Sequence, residues 1–305
     1  VDDQKVNKKV YEALIMSGAL DSLGSNRAAE LASLPTVIEL AGQLAENRQS
    51  GQNDMFGLPE KATPSYGVGR VEMWSDKKAL RHEHQSLGLY LTGHPVDYAK
   101  KELAGITSGR LNEIDPVPKR RVVLCGLVRD LRVFNNRRGE SAAFFTLDDG
   151  LAAADISVNS DLYQETRNVI RLTDLIVVLG DCSADETNGQ LRLDAEHILT
   201  LAQVRESALS QVTVGIAPDS AVRTKIRHLQ HLLDGFRPGR TAVQIRYGSA
   251  ETSEACIALG ESWCVNPEEE LIDRLCETFG TESIEFGYDR LLLSSEHLNT
   301  SSRAA

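Results

Sequence analysis

The chain has 305 residues, a net charge of −11 and a composition that is 41% hydrophobic and 25% charged. That is enough apolar material for two or three packed domains. An acidic chain is not a wholesale polyanion binder, because neutralising phosphates takes a surplus of Lys and Arg, so any nucleic-acid contact has to be local. The longest apolar run, residues 175–179, is far shorter than the roughly 20 residues a membrane helix needs. Residues 1–20 lack a signal-peptide core with a cleavage site, and the five cysteines show no CxxC spacing. A cytoplasmic protein with no membrane partner, zinc site or disulfide framework is expected. The chain opens on Val1 in the approach to a helix, so it is expected to be a piece of something longer.

In chain order, Val6, Val10 and Leu14 recur at four-residue spacing and predict a helix with Lys8 and Lys9 on its other side. Residues 17–19 break it, and a short turn follows to Leu23. A second helix is expected after Asn26 and a third from Thr36 to the Ser50-Gly51 stop. Residues 51–70 are rich in Gly, Pro and Ser and read as an exposed linker. Helix returns over 75–91, ending at Gly93-His94-Pro95, within a helical connector over 71–118.

From residue 120 the apolar period becomes two. Strands are expected at 121–134, 142–147, 152–158, 175–182 and 191–199, with a short helix at 160–170 before the fourth. Three strands, a helix and two strands is the order of the five-stranded OB barrel, assigned to 119–204. Residues 205–289 read as strand 212–216, helix 221–234, strands 241–247 and 254–259, helix 267–279 and strand 283–288, a β-α-β-β-α-β domain. Its second helix is expected to start with Asn266 as N-cap and Pro267 at the first position. The tail 290–305 is polar and small and is expected to be disordered. The fold class is therefore α+β multidomain.

Charge marks one stretch. Residues 119–140 carry seven basic groups against two acidic ones, whereas residues 1–118 carry 13 against 16 and residues 205–305 carry 10 against 15. Arg129, Arg132, Arg137 and Arg138 flank the first strand–strand loop with Phe134 among them and Phe144-Phe145 following. Cations that follow a backbone and a ring that stacks on a base are what a single strand needs. By strand alternation only one of Phe144 and Phe145 can face outward. A solvated loop with ordinary arginines, or a protein-binding barrel, remains the alternative.

Gln52-Asn53-Asp54-Met55-Phe56 sits in the linker, where a peptide can extend into a partner's groove. Met55 and Phe56 are the apolar anchors, Gln52 hydrogen-bonds at the pocket edge and Asp54 meets a basic rim. The same pair can instead pin the linker to the body. At the first helical corner, the amides of Ser17, Gly18 and Ala19 are candidates for a DNA phosphate, with Lys8 and Lys9 nearby. A plain helix–turn–helix corner is the alternative. The histidines make no metal site: His82 and His84 diverge on a helix, and His228 and His231 lack further ligands. Asp148 and Asp149 point apart and read as a turn. No catalytic residue and no cofactor is expected in this stretch.

Several segments resemble the bacterial DNA polymerase III alpha-subunit family. Residues 87–95, Leu-Gly-Leu-Tyr-Leu-Thr-Gly-His-Pro, resemble a signature after its clamp peptide. Residues 6–10 with 14–24 resemble its second helix-hairpin-helix, Thr146-Leu147-Asp148-Asp149 its OB barrel, and Phe279-Gly280 through Glu285-Phe286 its C-terminal end. Residues 1–50 are on this basis the helix-hairpin-helix end of the fingers region. Residues 52–56 are similar to the peptide with which bacterial replication proteins bind the sliding clamp, the beta subunit.

The resemblance implies the C-terminal part of a replicative DNA-directed DNA polymerase, whose palm aspartates hold Mg²⁺ outside this stretch. It implies tethering to the clamp, to single-stranded and duplex DNA, and, through a tau-binding-like domain at 205–289, to the tau subunit of the clamp loader. The alternatives are a stand-alone clamp- or single-strand-binding adaptor and the same region of an error-prone polymerase paralogue.

Overall fold

The computed structural model describes residues 6–23, 26–49, 71–135, 139–171, 175–185, 189–248 and 254–289, and these form two compact units divided after Tyr98. The first unit is helical. In α1 (Lys8–Met16), the Asn7 side chain accepts from the Val10 amide at 3.2 Å. The buried residue is Ile15, while Val10 and Leu14 are 42% and 38% exposed, so the burying side lies one residue round from the expected one. Packing against α2 (Arg27–Gln49) and α3 (Asp76–Leu87) selects that side. α2 is one helix where two were expected. Pro35 lies inside it and removes one backbone donor, but the flanking Ala, Leu and Glu residues carry the helix through.

α3 stops at Leu87, earlier than expected, because Gly88 takes φ 72° and donates its N–H to His84 at 2.8 Å. Glu83, fully buried, then holds the next segment: its Oε2 accepts from the amides of Leu91 (2.7 Å) and Thr92 (3.0 Å). Tyr90 stacks on His84 with ring centres 4.6 Å apart. A single turn, α4 (Pro95–Tyr98), ends the unit.

In the second unit, α5 (Lys100–Ala104) and a 3₁₀ turn at Leu111–Glu113 lead into a closed barrel of order β1-β2-β3-β5-β4. Its strands are β1 (Arg120–Asn135), β2 (Ser141–Asp148), β3 (Ala153–Val158), β4 (Ile176–Ala184) and β5 (Leu191–Thr200), with α6 (Ser160–Arg171) between β3 and β4. Five strands with the helix in that place is an OB-like barrel.

The first half of β1 pairs with β4 and the second half with β2. Gly126 sits at the crossing, where a Cβ would lie 2.6 Å from the Asp148 carbonyl oxygen. A register shift between Arg129 and Arg132, with Asp130 at φ 50°, marks a bulge; past it β2 still pairs with β3 at Phe144 and Ala143, and β1 and β2 then run on as a short two-stranded ribbon from Phe134 and Ala142. Val122, Leu124, Phe145, Leu147, Ile156, Val178 and Leu193 fill the interior.

β5 runs directly into α7 (Leu201–Ala208), a helix the sequence patterning did not predict, started by a capping box between Thr200 and Gln203. Then follow β6 (Leu209–Ile216), α8 (Val222–Asp234), β7 (Ala242–Tyr247), β8 (Ala255–Ala258), α9 (Glu269–Phe279) and β9 (Ile284–Tyr288). The sheet order is β8-β7-β6-β9, with β6 and β7 parallel and the other pairs antiparallel. Leu271, Ile272 and Leu275 of α9 are buried, as their spacing predicts. The N-cap, however, is Glu268 and not Asn266, because Asn266 and Pro267 are still non-helical.

Two buried ion pairs organise this unit. The Arg205 guanidinium on α7 donates from Nε to Glu102 Oε1 (2.6 Å) and from Nη2 to Oε2 (2.9 Å), and the Tyr288 hydroxyl donates to Oε1 at 2.6 Å. Burial opposes the Arg205 charge, but Glu102 more than offsets it and raises the guanidinium pKa. Burial and the Glu102 charge also raise the Tyr288 phenol.

The second pair closes the β2–β3 turn. Asp149, 1% exposed, accepts from Arg110 Nε (3.0 Å) and from the amides of Leu111 (3.0 Å), Leu151 (3.0 Å) and Ala152 (2.9 Å). Burial pushes its carboxyl pKa up, but the three amides and Arg110 outweigh it and hold the group below the usual carboxylate range.

Glu102→Ala leaves Arg205 buried without its partner and is expected to lower stability by about 3–5 kcal/mol. In the same urea titrations the double change Glu102→Met, Arg205→Met should cost far less. The Asp149 carboxylate stabilises the fold above the unfolded-state pKa of about 4 and loses that contribution as pH falls through its lower folded value. The stability gap between wild type and Asp149→Asn, measured by urea unfolding at a series of pH values, should therefore be flat above about pH 5 and shrink below about pH 4.

Candidate nucleic-acid interface

The ladder between β1 and β2 sets Arg132 opposite Phe144 and Phe134 opposite Ala142. Alternation then puts Arg132, Phe134 and Phe144 on one outward face and sends Phe145 into the core, where it is 2% exposed. Phe134 and Phe144 are 42% and 37% exposed, and their rings stack with centres 5.3 Å apart and planes 13° from parallel. The guanidinium of Arg192, from β5, lies 5.4 Å from the centre of the Phe144 ring. It reaches across β3, where Ser157 faces Phe144 in the ladder and is short enough to leave the way clear.

The arginines of the expected cluster have separate fates. Arg129 is engaged by Asp148, Nε to Oδ2 2.7 Å. Arg132 has no ion pair or hydrogen bond to a side chain among the described residues. Arg137 and Arg138 lie outside the described residues, as do Gln52, Asp54, Met55 and Phe56 of the linker peptide. Arg192 was not singled out from the sequence; its signal was the Leu191-Arg192-Leu193 alternation, which buries both leucines and turns the arginine outward. Asp155, which accepts from Thr146 Oγ1 at 3.3 Å, stands directly opposite Arg192 in the β3–β5 ladder, and Asp194 stands opposite Ser157 in the row that holds Phe144, so carboxylates interleave with the cations of this face. The surface offers two stacked rings, one cation on a ring and one unpaired cation beside them. That is a platform for an unstacked base with its phosphate alongside.

The helical corner of the first unit differs from its expected use. The amides of Ser17, Gly18 and Ala19 donate to the carbonyls of Ala13 (2.9 Å), Ile15 (3.1 Å) and Leu14 (3.0 Å). They close the end of α1 and are not presented to a phosphate, because a helix C-terminus has its own carbonyls to satisfy. Gly18 takes φ 77° beneath the Arg27 guanidinium, which pairs with Asp21. Lys8 is 3.5 Å from Glu12, and Lys9 is exposed.

His82 stacks on Trp74 and His84 on Tyr90. Among the described residues no group of three or more His, Cys, Asp or Glu is placed to hold a metal ion. No described helix is long and apolar enough to cross a membrane.

A closed OB-like barrel with an aromatic–arginine face, followed by a four-stranded α+β domain, defines a modular protein of the OB-barrel class. The family model for "DNA polymerase III subunit alpha, C-terminal domain" matches residues 228–280. The DNA polymerase III alpha subunit of Vibrio cholerae is 34% identical over 294 residues, covering 95% of this chain and 25% of the relative. Those of Pseudomonas aeruginosa and Escherichia coli K12 are 32% and 31% identical, each covering 94% of this chain and 26% and 25% of the relative. The chain is thus a relative of the bacterial DNA polymerase III alpha subunits and spans about a quarter of their length. Among solved structures, the yeast mitochondrial single-stranded DNA binding protein Rim1 aligns with 28% of this chain and 96% of its own, at 15% identity and a TM-score of 0.22.

Proposed function

We propose that this chain works as the C-terminal, tethering part of a replicative DNA polymerase III alpha subunit, and that the outer face of its barrel guides single-stranded template. The observation that carries this reading is the Phe134–Phe144 stack with Arg192 on one ring, on a barrel whose sequence relatives are subunits of a DNA polymerase. Bases stack on the rings, and Arg132 with Arg137 and Arg138 follows the phosphates. The surrounding protein is acidic, so the strand is confined to this one cationic patch.

Two further tethers belong to the same proposal on sequence grounds. Residues 52–56 bind the sliding clamp through Met55 and Phe56, with Gln52 and Asp54 at the rim, and the 205–289 domain docks the tau subunit of the clamp loader. Lys8 and Lys9 lend the helical unit a weak duplex contact. Linked weak sites multiply through effective concentration, which suits a polymerase that stays on DNA yet exchanges partners. Nucleotidyl transfer, with its Mg²⁺, belongs to parts of the relatives outside this chain.

Phe144→Ala is expected to weaken binding of a fluorescent oligo-dT by about 5- to 150-fold, the loss of roughly one stacked base, with little change in melting temperature. Unchanged affinity in the anisotropy titration would remove this face from the reading. For the clamp, Met55→Ala with Phe56→Ala should cost about 2–4 kcal/mol, enough to abolish a micromolar contact with the cognate clamp on a biosensor surface. If the double variant binds as wild type does, the peptide is a structural pin.

A further inference from the structure

The β1–β2 ribbon has two faces, and the aromatic pair uses only one. On the other, between the ribbon and α6, is a hollow lined by Val133, Ser141, Tyr163, Gln164 and Arg167. Val133 and Phe134 are neighbours on one strand, so their side chains leave it in opposite directions.

The lining is chemically one-sided. Tyr163 is only 5% exposed, yet its hydroxyl has no hydrogen-bond partner among the described residues and is not sealed from solvent. A buried phenol normally finds a partner, so this free O–H opens into the hollow that the residue lines. Gln164 and Arg167 are exposed on α6, and neither side chain has a hydrogen bond or ion pair among the described residues. Residues 163, 164 and 167 share one side of the helix by their three- and four-residue spacing. No carboxylate lines the hollow, and Glu140, next to Ser141, is occupied by the Ser160 hydroxyl at 3.2 Å. A hydroxyl, an amide and a guanidinium, all donors without partners, converge over an apolar valine. That set fits an anion carrying a sugar.

We propose that the hollow holds a phosphodiester unit of a single strand that has crossed the aromatic face and turned around the end of the ribbon. Arg167, Gln164 and Tyr163 donate to the phosphate oxygens, and Val133 lies against the sugar. The ribbon is then gripped from both sides, by bases on Phe134 and Phe144 and by backbone in the hollow. This inference rests on the reading of the aromatic face as the strand-binding surface. A free nucleotide offers the same phosphate chemistry, and the experiment separates the two sources.

The test uses the full chain and labelled oligo-dT of about 4 and about 16 nucleotides, the two ends of the range of OB site sizes. Arg167→Gln should leave the short oligonucleotide's affinity unchanged and weaken the long one about 5- to 10-fold. It should also flatten the slope of log K against log salt by about 0.7, the signature of one lost phosphate contact on a single strand. Tyr163→Phe keeps the buried ring and removes only the hydroxyl, and should weaken the long oligonucleotide alone.

Phe144→Ala should weaken both lengths. If Phe144→Ala loses binding while Arg167→Gln keeps wild-type affinity and slope for the long strand, the hollow is overturned and the aromatic face stands. If Phe144→Ala binds both lengths as wild type does, the face falls and the hollow with it. If thymidine monophosphate displaces the long strand from wild type as readily as unlabelled oligo-dT does, the hollow is a mononucleotide site and the strand inference is overturned.

Discussion

The barrel-containing unit depends on one buried carboxylate. Glu102, on the short helix that leads into the barrel, takes both forks of Arg205 from the helix that leaves it and the hydroxyl of Tyr288 from the last strand of the terminal sheet. Three elements far apart in sequence meet at one pair of oxygens. An ion pair removed from water is tolerated only when its geometry is complete, so a charge buried this deeply demands that all three elements be in place together. The helices that enter and leave the barrel are thereby joined to the terminal sheet by one specific contact.

Within that frame, the binding surface follows from the length of one strand. β1 has 16 residues, more than the barrel wall uses. Its first half seals the barrel against β4, and its second half pairs with β2 to the rim of the sheet and beyond, with a ring from each strand on one face. Asp149 holds the far end of β2 by tying the β2–β3 turn to the segment that enters the barrel. That end of the aromatic strand is thus anchored, and the rings, already stacked, need no large rearrangement to meet a ligand.

Most of the barrel and the terminal domain was legible in the sequence, because a buried face with a period of two marks strands and one with a period of 3.6 marks helices. What escaped was set by tertiary partners. Helix α7 begins with an ordinary capping box but lies where the chain passes from one core to the next, so no clean apolar stripe announced it. The expected break before Thr36 failed because one proline is a local loss that a long run of helix formers absorbs. Ile15 buries in place of Val10 and Leu14 because packing, not spacing alone, selects the face. In the site, Phe134, Phe144 and Arg132 were visible as an aromatic–basic cluster near one loop. Arg192 was not, since a residue that reaches over a third strand is a neighbour only after the sheet closes. The Ser17-Gly18-Ala19 corner suits a phosphate approach by composition alone, and its glycine instead gives α1 its left-handed stop.

The bulge at Asp130 sets which of these surfaces faces which way. Before it, Val122 and Leu124 turn inward at even positions; after it, Leu131 packs against the core at an odd one. One extra residue therefore inverts the parity of everything beyond it. Deleting a single codon there would close the bulge and leave the ladder beyond it intact, with Arg132 still opposite Phe144 and Phe134 still opposite Ala142, so the rings would keep their face. Among barrels built this way, a strand can gain or lose a residue at the bulge without exchanging the chemistry of its two sides, and only the sequence parity shifts.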